Sequence, residues 1–179
     1  RTWAIGAGGL FGSALTRASE HAFLGPQIPW SDPDAALKAL QHTLSDFAQC
    51  AGDRWCIAWA AGHATTSSEQ AEADRELDLF RRFTSHLTDQ APHGRGVLLL
   101  TSSAGGIYAG SSEPPFTSNS EPSPLGTYGQ LKLAQERSAW EILTDIPVAT
   151  IRLSNLYGPG QDLGKLQGVI SRLALAAVT

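Results

Sequence analysis

Methionine is absent from this sequence, and cysteine occurs only twice in 179 residues, as Cys50 and Cys56. Two thiols without ligand-spaced partners make neither a disulfide framework nor a zinc site. Cys56 falls in an apolar run, so a buried thiol is expected there. The five histidines and scattered acids have no metal-ligand spacing, and no metal is expected. No apolar run approaches membrane-spanning length, and no secretory pattern opens the chain. Charged residues make up only 17%, the net charge is −4, and there is no basic cluster. That excludes nucleic acid as the expected partner. What remains is a chain that is 42% hydrophobic and long enough for one domain with a real core. These features place it as a soluble, cytosolic protein. The chain starts on Arg1 and stops at Thr179 inside a predicted helix. The expectation is a portion of a longer polypeptide, whose continuation would hold half of a substrate site.

The pattern along the chain alternates. Thr2–Ile5 reads as the end of a strand, and Ser13–His21 as a helix. Between them lies Gly6-Ala7-Gly8-Gly9-Leu10-Phe11-Gly12, whose glycines at 6, 9 and 12 vary the dinucleotide fingerprint. Glycine is required where the backbone turns with positive φ, approaches a pyrophosphate, or packs helix on strand. The following helix N-terminus offers free N–H groups to phosphates. Taken alone, such a segment is also what a plain tight turn looks like.

Residues 23–30 could be one strand, broken by Pro26 and Pro29. Asp32 is placed to cap a helix beginning at Pro33 and ending near Gln49. Residues 55–61 (WCIAWAA) read as a buried parallel strand. Residues 68–87 read as a long helix, and Val97–Leu100 as another buried strand. Thr101, Ser102 and Ser103 end that strand, where ligands bind in open parallel sheets. The same hydroxyls could instead serve local backbone groups. Residues 109–126 read as a loop, 128–143 as a helix, and 147–153 as a strand ended by Asn155-Leu156-Tyr157-Gly158-Pro159-Gly160. A last helix begins near Leu166. Strand and helix alternating in this way predict an α/β fold, a Rossmann-like doubly wound parallel sheet with helices on both faces.

Tyr128 and Lys132 stand at i and i+4, on one face of the predicted 128–143 helix. A free phenol is a poor base at neutral pH, and a nearby ammonium favours the phenolate. A phenol so activated can exchange a proton with a substrate oxygen. On spacing alone, the pair also fits an ordinary amphipathic surface.

The segments GAGGLFG (6–12), WAA (59–61), SSAGGIY (102–108), Pro124 to Lys132 (P-x-x-x-Y-G-x-x-K) and Arg152 to Gly160 (R-x-x-N-x-Y-G-P-G) occur here in one order. In that combination the chain resembles the extended short-chain dehydrogenase/reductase family, in particular the NAD-dependent nucleotide-sugar epimerases and dehydratases. The resemblance implies that Tyr128 is the acid/base, with Lys132 as its partner at the nicotinamide ribose. Ser103, or else Ser102, would bond the substrate oxygen, and Ser102 is otherwise counted with the cofactor-binding residues. Gly6, Gly9, Leu10, Phe11 and Gly12 would hold the pyrophosphate. Ala60 and Ala61 would line the adenosine side, Ser154 would lie near the nicotinamide, and Asn155 would reach the substrate's phosphates. Residues 1–160 would form the dinucleotide-binding domain and 161–179 the start of a substrate-binding part. A homodimer through the 68–87 and 128–143 helices is likewise an implication of the resemblance.

Three departures from the family pattern stand out. Only one strand is clear between the first helix and WCIAWAA, where two are usual, and Asp32 is the one candidate for the acid that binds the adenosine ribose. No arginine follows closely to grip a 2′-phosphate, so NAD is favoured over NADP. Ala104 stands where a Ser or Thr is common, which shifts that duty to Ser103. The 68–87 helix lacks the usual asparagine, with Asp74 near its place. Of the remaining residues, His63 is expected in a solvated loop, Trp59 in the core, Glu136 on the helix surface, and Arg152 in a structural ion pair. The functional reading is an oxidoreductase acting on a nucleotide sugar. An NADP-dependent reductase of a small carbonyl compound, or a dinucleotide-binding sensor without turnover, are the alternatives.

Overall fold

The computed structural model describes residues 1–164 and 169–178, without the Val178 side chain. The elements in order are β1 (Thr2–Ile5), α1 (Leu10–Ala18), β2 (Ala22–Phe23), α2 (Pro33–Cys50), β3 (Arg54–Trp59), α3 (Gln70–Asp89), β4 (Arg95–Ser103), α4 (Ala104–Ile107), α5 (Thr127–Ile142), β5 (Val148–Leu153) and α6 (Val169–Val178). The five strands form one sheet in the order β2-β1-β3-β4-β5, and every pairing is parallel. This is the expected doubly wound architecture. The chain steps one way from β1 to β2 and the other way from β3 through β5. Right-handed crossovers therefore put α1 on one face and α2, α3 and α5 on the other. In keeping with this, α2 packs on α3 and α3 on α5.

The register explains the core. Trp3, Ile57 and Leu98 are neighbours across three strands, as are Ile5, Trp59 and Leu100. All six point to the face covered by α2, α3 and α5 and are buried. Trp59 meets Phe80 and Phe83 of α3 at centroid distances of 5.1 and 5.3 Å. Trp3 meets Phe47 of α2 at 5.8 Å. The intervening positions on β1 and β3 are smaller: Thr2, Ala4, Cys56 and Ala58. Cys56 is therefore half-buried rather than fully buried, and burial still pushes its thiol pKa up.

Some boundaries moved. Helix α1 begins at Leu10, three residues before the expected start, because the chain turns helical directly after Gly9. The broken 23–30 stretch contributes only Ala22–Phe23 to the sheet. Asp32 caps α2 as its sequence position implies, its Oδ1 accepting the N–H groups of Asp34 (3.1 Å) and Ala35 (3.0 Å). Helix α4, a single turn, was not foreseen. It follows β4 without a break, and Ser103 Oγ caps it by accepting the Gly106 N–H at 3.1 Å. The expected helix start at Leu166 lies outside the described residues; α6 is described from Val169.

Candidate active site

All strands run the same way, so their carboxyl ends share one edge of the sheet. Reading across β1, β3, β4 and β5, that edge carries the 6–12 turn, Ala60-Ala61, Ser102-Ser103 and Ser154-Asn155. At roughly 4.8 Å per strand, the first and last of these stand about 14 Å apart. The strand order reverses between β1 and β3, where open α/β sheets place ligands.

The turn after β1 is tightly built. Gly6 has φ of +93°, and a Cβ there would come within 2.6 Å of the Ala61 nitrogen. Gly12 is buried, and a Cβ on it would overlap the Gly6 carbonyl. These two glycines let α1 pack down on the turn and the turn pack on Ala60-Ala61. Gly8 and Gly9 are exposed, with ordinary room around them. Gly9 is the N-cap of α1, no side chain caps the helix, and Leu10 and Phe11 are half-buried in its first turn. The first N–H groups of α1 are therefore left to an incoming acceptor. This arrangement fits a phosphate, which needs donors and close backbone approach.

The end of β4 and the start of α5 meet in a pocket of ≈ 260 Å³ lined by Thr66, Ser103, Gly106 and Tyr128 among others. Two glycines create it. A Cβ on Gly106 would stand 3.1 Å from Tyr128 Cδ1, so the ring rests on that glycine. Gly129 approaches the Gly106 carbonyl so closely that a Cβ on Gly129 would overlap that oxygen. Ser103 Oγ accepts from Gly106 N–H, which leaves its own hydroxyl hydrogen for another acceptor. Ser102 differs from its neighbour. It points to the same face as Leu98 and Leu100, is buried, and its Oγ has no hydrogen-bond partner. Thr101 donates to the Trp59 carbonyl at 2.8 Å, a local role. Ser154 and Asn155 are exposed, one and two residues beyond β5, and do not line the pocket. A second hollow of ≈ 370 Å³, at Arg54, Trp55 and Arg95, lies at the amino ends of β3 and β4, the wrong end of the sheet for a ligand site in this fold.

Lys132 lies one turn beyond Tyr128, its Nζ 5.8 Å from the phenol ring centroid. It is buried, and Nζ bonds Gln135 Oε1 at 3.0 Å and Glu76 Oε1 at 3.4 Å. Burial pushes the Lys132 pKa down and Glu76 opposes it, leaving it below the ordinary lysine value. Burial pushes the Glu76 carboxyl up, but Lys132 and the Ala64 and His63 N–H groups outweigh that and hold it below its usual value. Sequence reasoning missed Glu76; Asp74, noted near the place of the absent asparagine, is exposed and accepts from Gln70 Nε2 at 2.8 Å. A signal was present: Ala73, Glu76, Phe80, Phe83 and Leu87 form one stripe at helical spacing. A carboxylate on that stripe faces the core.

Glu136 also departs from expectation. It was read as helix surface, yet it is 0% exposed. Its two oxygens take Arg152 Nε at 3.0 Å and Nη2 at 2.7 Å. The Glu136 hydrogen bond raises the Arg152 pKa above its ordinary value. Arg152 Nη1 also bonds the Tyr108 hydroxyl, and that hydroxyl donates to the Thr117 carbonyl at 2.8 Å. The expected Arg152 ion pair thus anchors the 109–126 loop through Tyr108. Glu136 follows Lys132 by four residues, so Tyr128, Lys132 and Glu136 all occupy one face of α5.

Comparison with known proteins agrees with the fold. The family described as RmlD substrate binding domain matches residues 1–176. The chain belongs to this family. It is one of the extended short-chain dehydrogenase/reductase families of nucleotide-sugar epimerases, dehydratases and reductases. A dTDP-L-rhamnose 4-epimerase of Burkholderia thailandensis is 43% identical over 67 residues, which are 34% of this chain and 18% of that protein. Two solved structures share the fold. RMD from Pseudomonas aeruginosa, complexed with NADPH, matches with a TM-score of 0.66 and 24% identity over 90% of this chain and 56% of its own. TunA, an NAD-dependent NDP-hexosamine 5,6-dehydratase of tunicamycin biosynthesis, matches with a TM-score of 0.70 and 20% identity over 100% of this chain and 61% of its own. This RmlD-family chain therefore spans less than two thirds of the length of these relatives. Between α1 and β3 it has one strand, β2, as the sequence indicated. Its candidate ribose acid, Asp32, is occupied in capping α2. No helix among the described residues is long and apolar enough to cross a membrane.

Proposed function

We propose that this chain carries the dinucleotide-binding domain, residues 1–160, and the start of the substrate-binding part, residues 161–179, of an NAD(P)-dependent enzyme acting on a nucleotide sugar. The observation that carries the reading is the shared pocket of Ser103 and Tyr128 with Lys132 one helical turn behind. The cofactor would supply hydride transfer at a sugar carbon. The α1 N-terminus and Gly6–Gly12 turn hold its pyrophosphate, with Leu10 and Phe11 in contact, and Ala60-Ala61 back the adenosine side. NAD is the better fit, because residues 24–32 contain no lysine or arginine for a 2′-phosphate.

Ser103 donates its free hydroxyl hydrogen to the reacting sugar oxygen. Tyr128 Oη takes the proton from the sugar hydroxyl during oxidation and returns one to the carbonyl oxygen during reduction. Lys132 keeps positive charge beneath the phenol and reaches toward the nicotinamide ribose. Ser154 would lie near the nicotinamide, and Asn155 would contact the substrate's diphosphate. A positioned acid/base of this kind contributes roughly 10²–10⁴ in rate.

The test is calorimetric titration of the full-length protein with NAD⁺ and NADP⁺, followed by a nucleotide-sugar turnover screen with wild type and Tyr128→Phe. Binding of one dinucleotide, and turnover reduced by about 10²-fold or more in Tyr128→Phe, supports the reading. Binding without any turnover leaves a sensor. Binding of neither removes the reading.

A further inference from the structure

Glu76 has no part in the chemistry above, yet its carboxylate is fully engaged. Oε2 accepts the N–H groups of His63 at 2.9 Å and Ala64 at 3.0 Å. Oε1 takes Lys132 Nζ at 3.4 Å and Gln135 Nε2 at 3.3 Å. Gln135 Oε1 in turn accepts from Lys132. Three segments are knotted at one carboxylate: the loop leaving β3, helix α3 and helix α5. Gly62 permits the knot, because a Cβ there would stand 3.2 Å from both Glu76 Oε1 and Lys132 Nζ. The same loop begins at Ala60-Ala61, which backs Gly6.

We propose that Glu76 is a positioning residue: it fixes the Lys132 ammonium one helical turn beneath Tyr128 and ties it to the loop leaving β3. The proton-handling side of the site and the cofactor side are thereby held in one register. The catalytic meaning of this claim rests on the function proposed above.

The charge environment is simple. Facing Lys132 are Glu76 from α3, Tyr128 and Glu136 from α5, and Arg152 from β5, the last two closed on each other. Arg81 of α3 is bonded to Ser138 Oγ. Helix α4 has no charged residue, and the charged residue of β4, Arg95, is at the far end of that strand. His63 contributes its backbone, and its side chain is exposed. Glu76 is thus the anion whose charge favours the protonated form of this buried amine.

The experiment uses the full-length protein with Lys132 followed by ¹³Cε NMR, and NAD⁺ and NADP⁺ as binding probes across pH. In Glu76→Gln, Lys132 should lose its proton about one unit or more lower than in wild type. Dinucleotide affinity should be about tenfold weaker at a pH between the two titration points, and the two proteins should converge at a pH below both of them. Superimposed Lys132 titrations, or superimposed binding profiles, overturn the proposal. Wild type supplies a check that needs no variant. Protonating Glu76 in acid should shift the Lys132 ¹³Cε resonance and the His63 and Ala64 amide resonances together, and independent behaviour overturns the proposal. If wild type binds neither dinucleotide, the functional reading fails and the NMR arms alone decide the role of Glu76. If wild type binds both ways but Glu76→Gln changes nothing, the positioning role fails and the functional reading stands.

Discussion

Gly129 of α5 lies against the carbonyl of Gly106 in α4 with no space for a side chain between them. That contact sets where Tyr128 stands relative to Ser103, since Tyr128 precedes Gly129 and Ser103 caps the helix that holds Gly106. Gly129→Ala should destabilise the protein by about 1–3 kcal/mol by overpacking, and should weaken turnover by prying the two side chains apart. Gly105→Ala, at a position with nothing within 4 Å, is the control and should leave the denaturation midpoint unchanged. Equal midpoints for the two variants would refute the close-packing account.

The glycine turn separates folding from binding. Gly12→Ala should lower the melting temperature, because its Cβ would strike the Gly6 carbonyl. Gly9 has 3.5 Å to its nearest neighbour, so Gly9→Val should melt close to wild type yet lose dinucleotide binding. A Gly9→Val protein that binds NAD⁺ as well as wild type would place the phosphates elsewhere.

Glu136, which is buried, and Arg152, which is partly exposed, form a bidentate pair. Glu136→Ala leaves the guanidinium without its anion and should cost about 3–5 kcal/mol in chemical denaturation. The double variant Glu136→Leu/Arg152→Met should recover much of that loss, because no unpaired charge remains. A double variant no better than the single would show that packing, and not charge, is what Glu136 contributes.

Stability should respond to pH through Glu76 and Lys132 with opposite windows. The folded Glu76 pKa lies below its unfolded value, so its contribution is complete above the unfolded carboxyl value near ~4.3 and is lost as pH falls through the folded value. The folded Lys132 pKa is also lowered, so the unfolded chain holds that proton longer, and stability rises with pH between the folded value and the ordinary lysine value. Denaturation midpoints from pH 7 down to pH 3 should therefore fall less steeply in Glu76→Gln than in wild type. Parallel curves would remove Glu76 from the acid response.

The parts of the fold legible beforehand were those specified locally. Strand β1 ends where its glycines begin, α2 starts at its Asp-Pro cap, and Tyr128 and Lys132 lie on one helix face, because caps, breakers and spacing act over a few residues. Helix α4 escaped notice because one turn with two glycines has no periodicity to read. Glu136 and Glu76 were misjudged or missed because charge implies solvent until a partner from another element is known. Arg152 lies 16 residues from Glu136, and Lys132 lies 56 from Glu76.

The sequence by itself determined the alternation of strand and helix, the glycine turn at the head of α1, and the Tyr–Lys spacing. Each follows from backbone freedom, hydrophobic periodicity and helical pitch. Only the tertiary structure decided which of the adjacent serines faces the pocket, which acid meets Lys132, and what holds Arg152. Those depend on strand register and helix packing, where a shift of one residue changes the face on which a side chain stands.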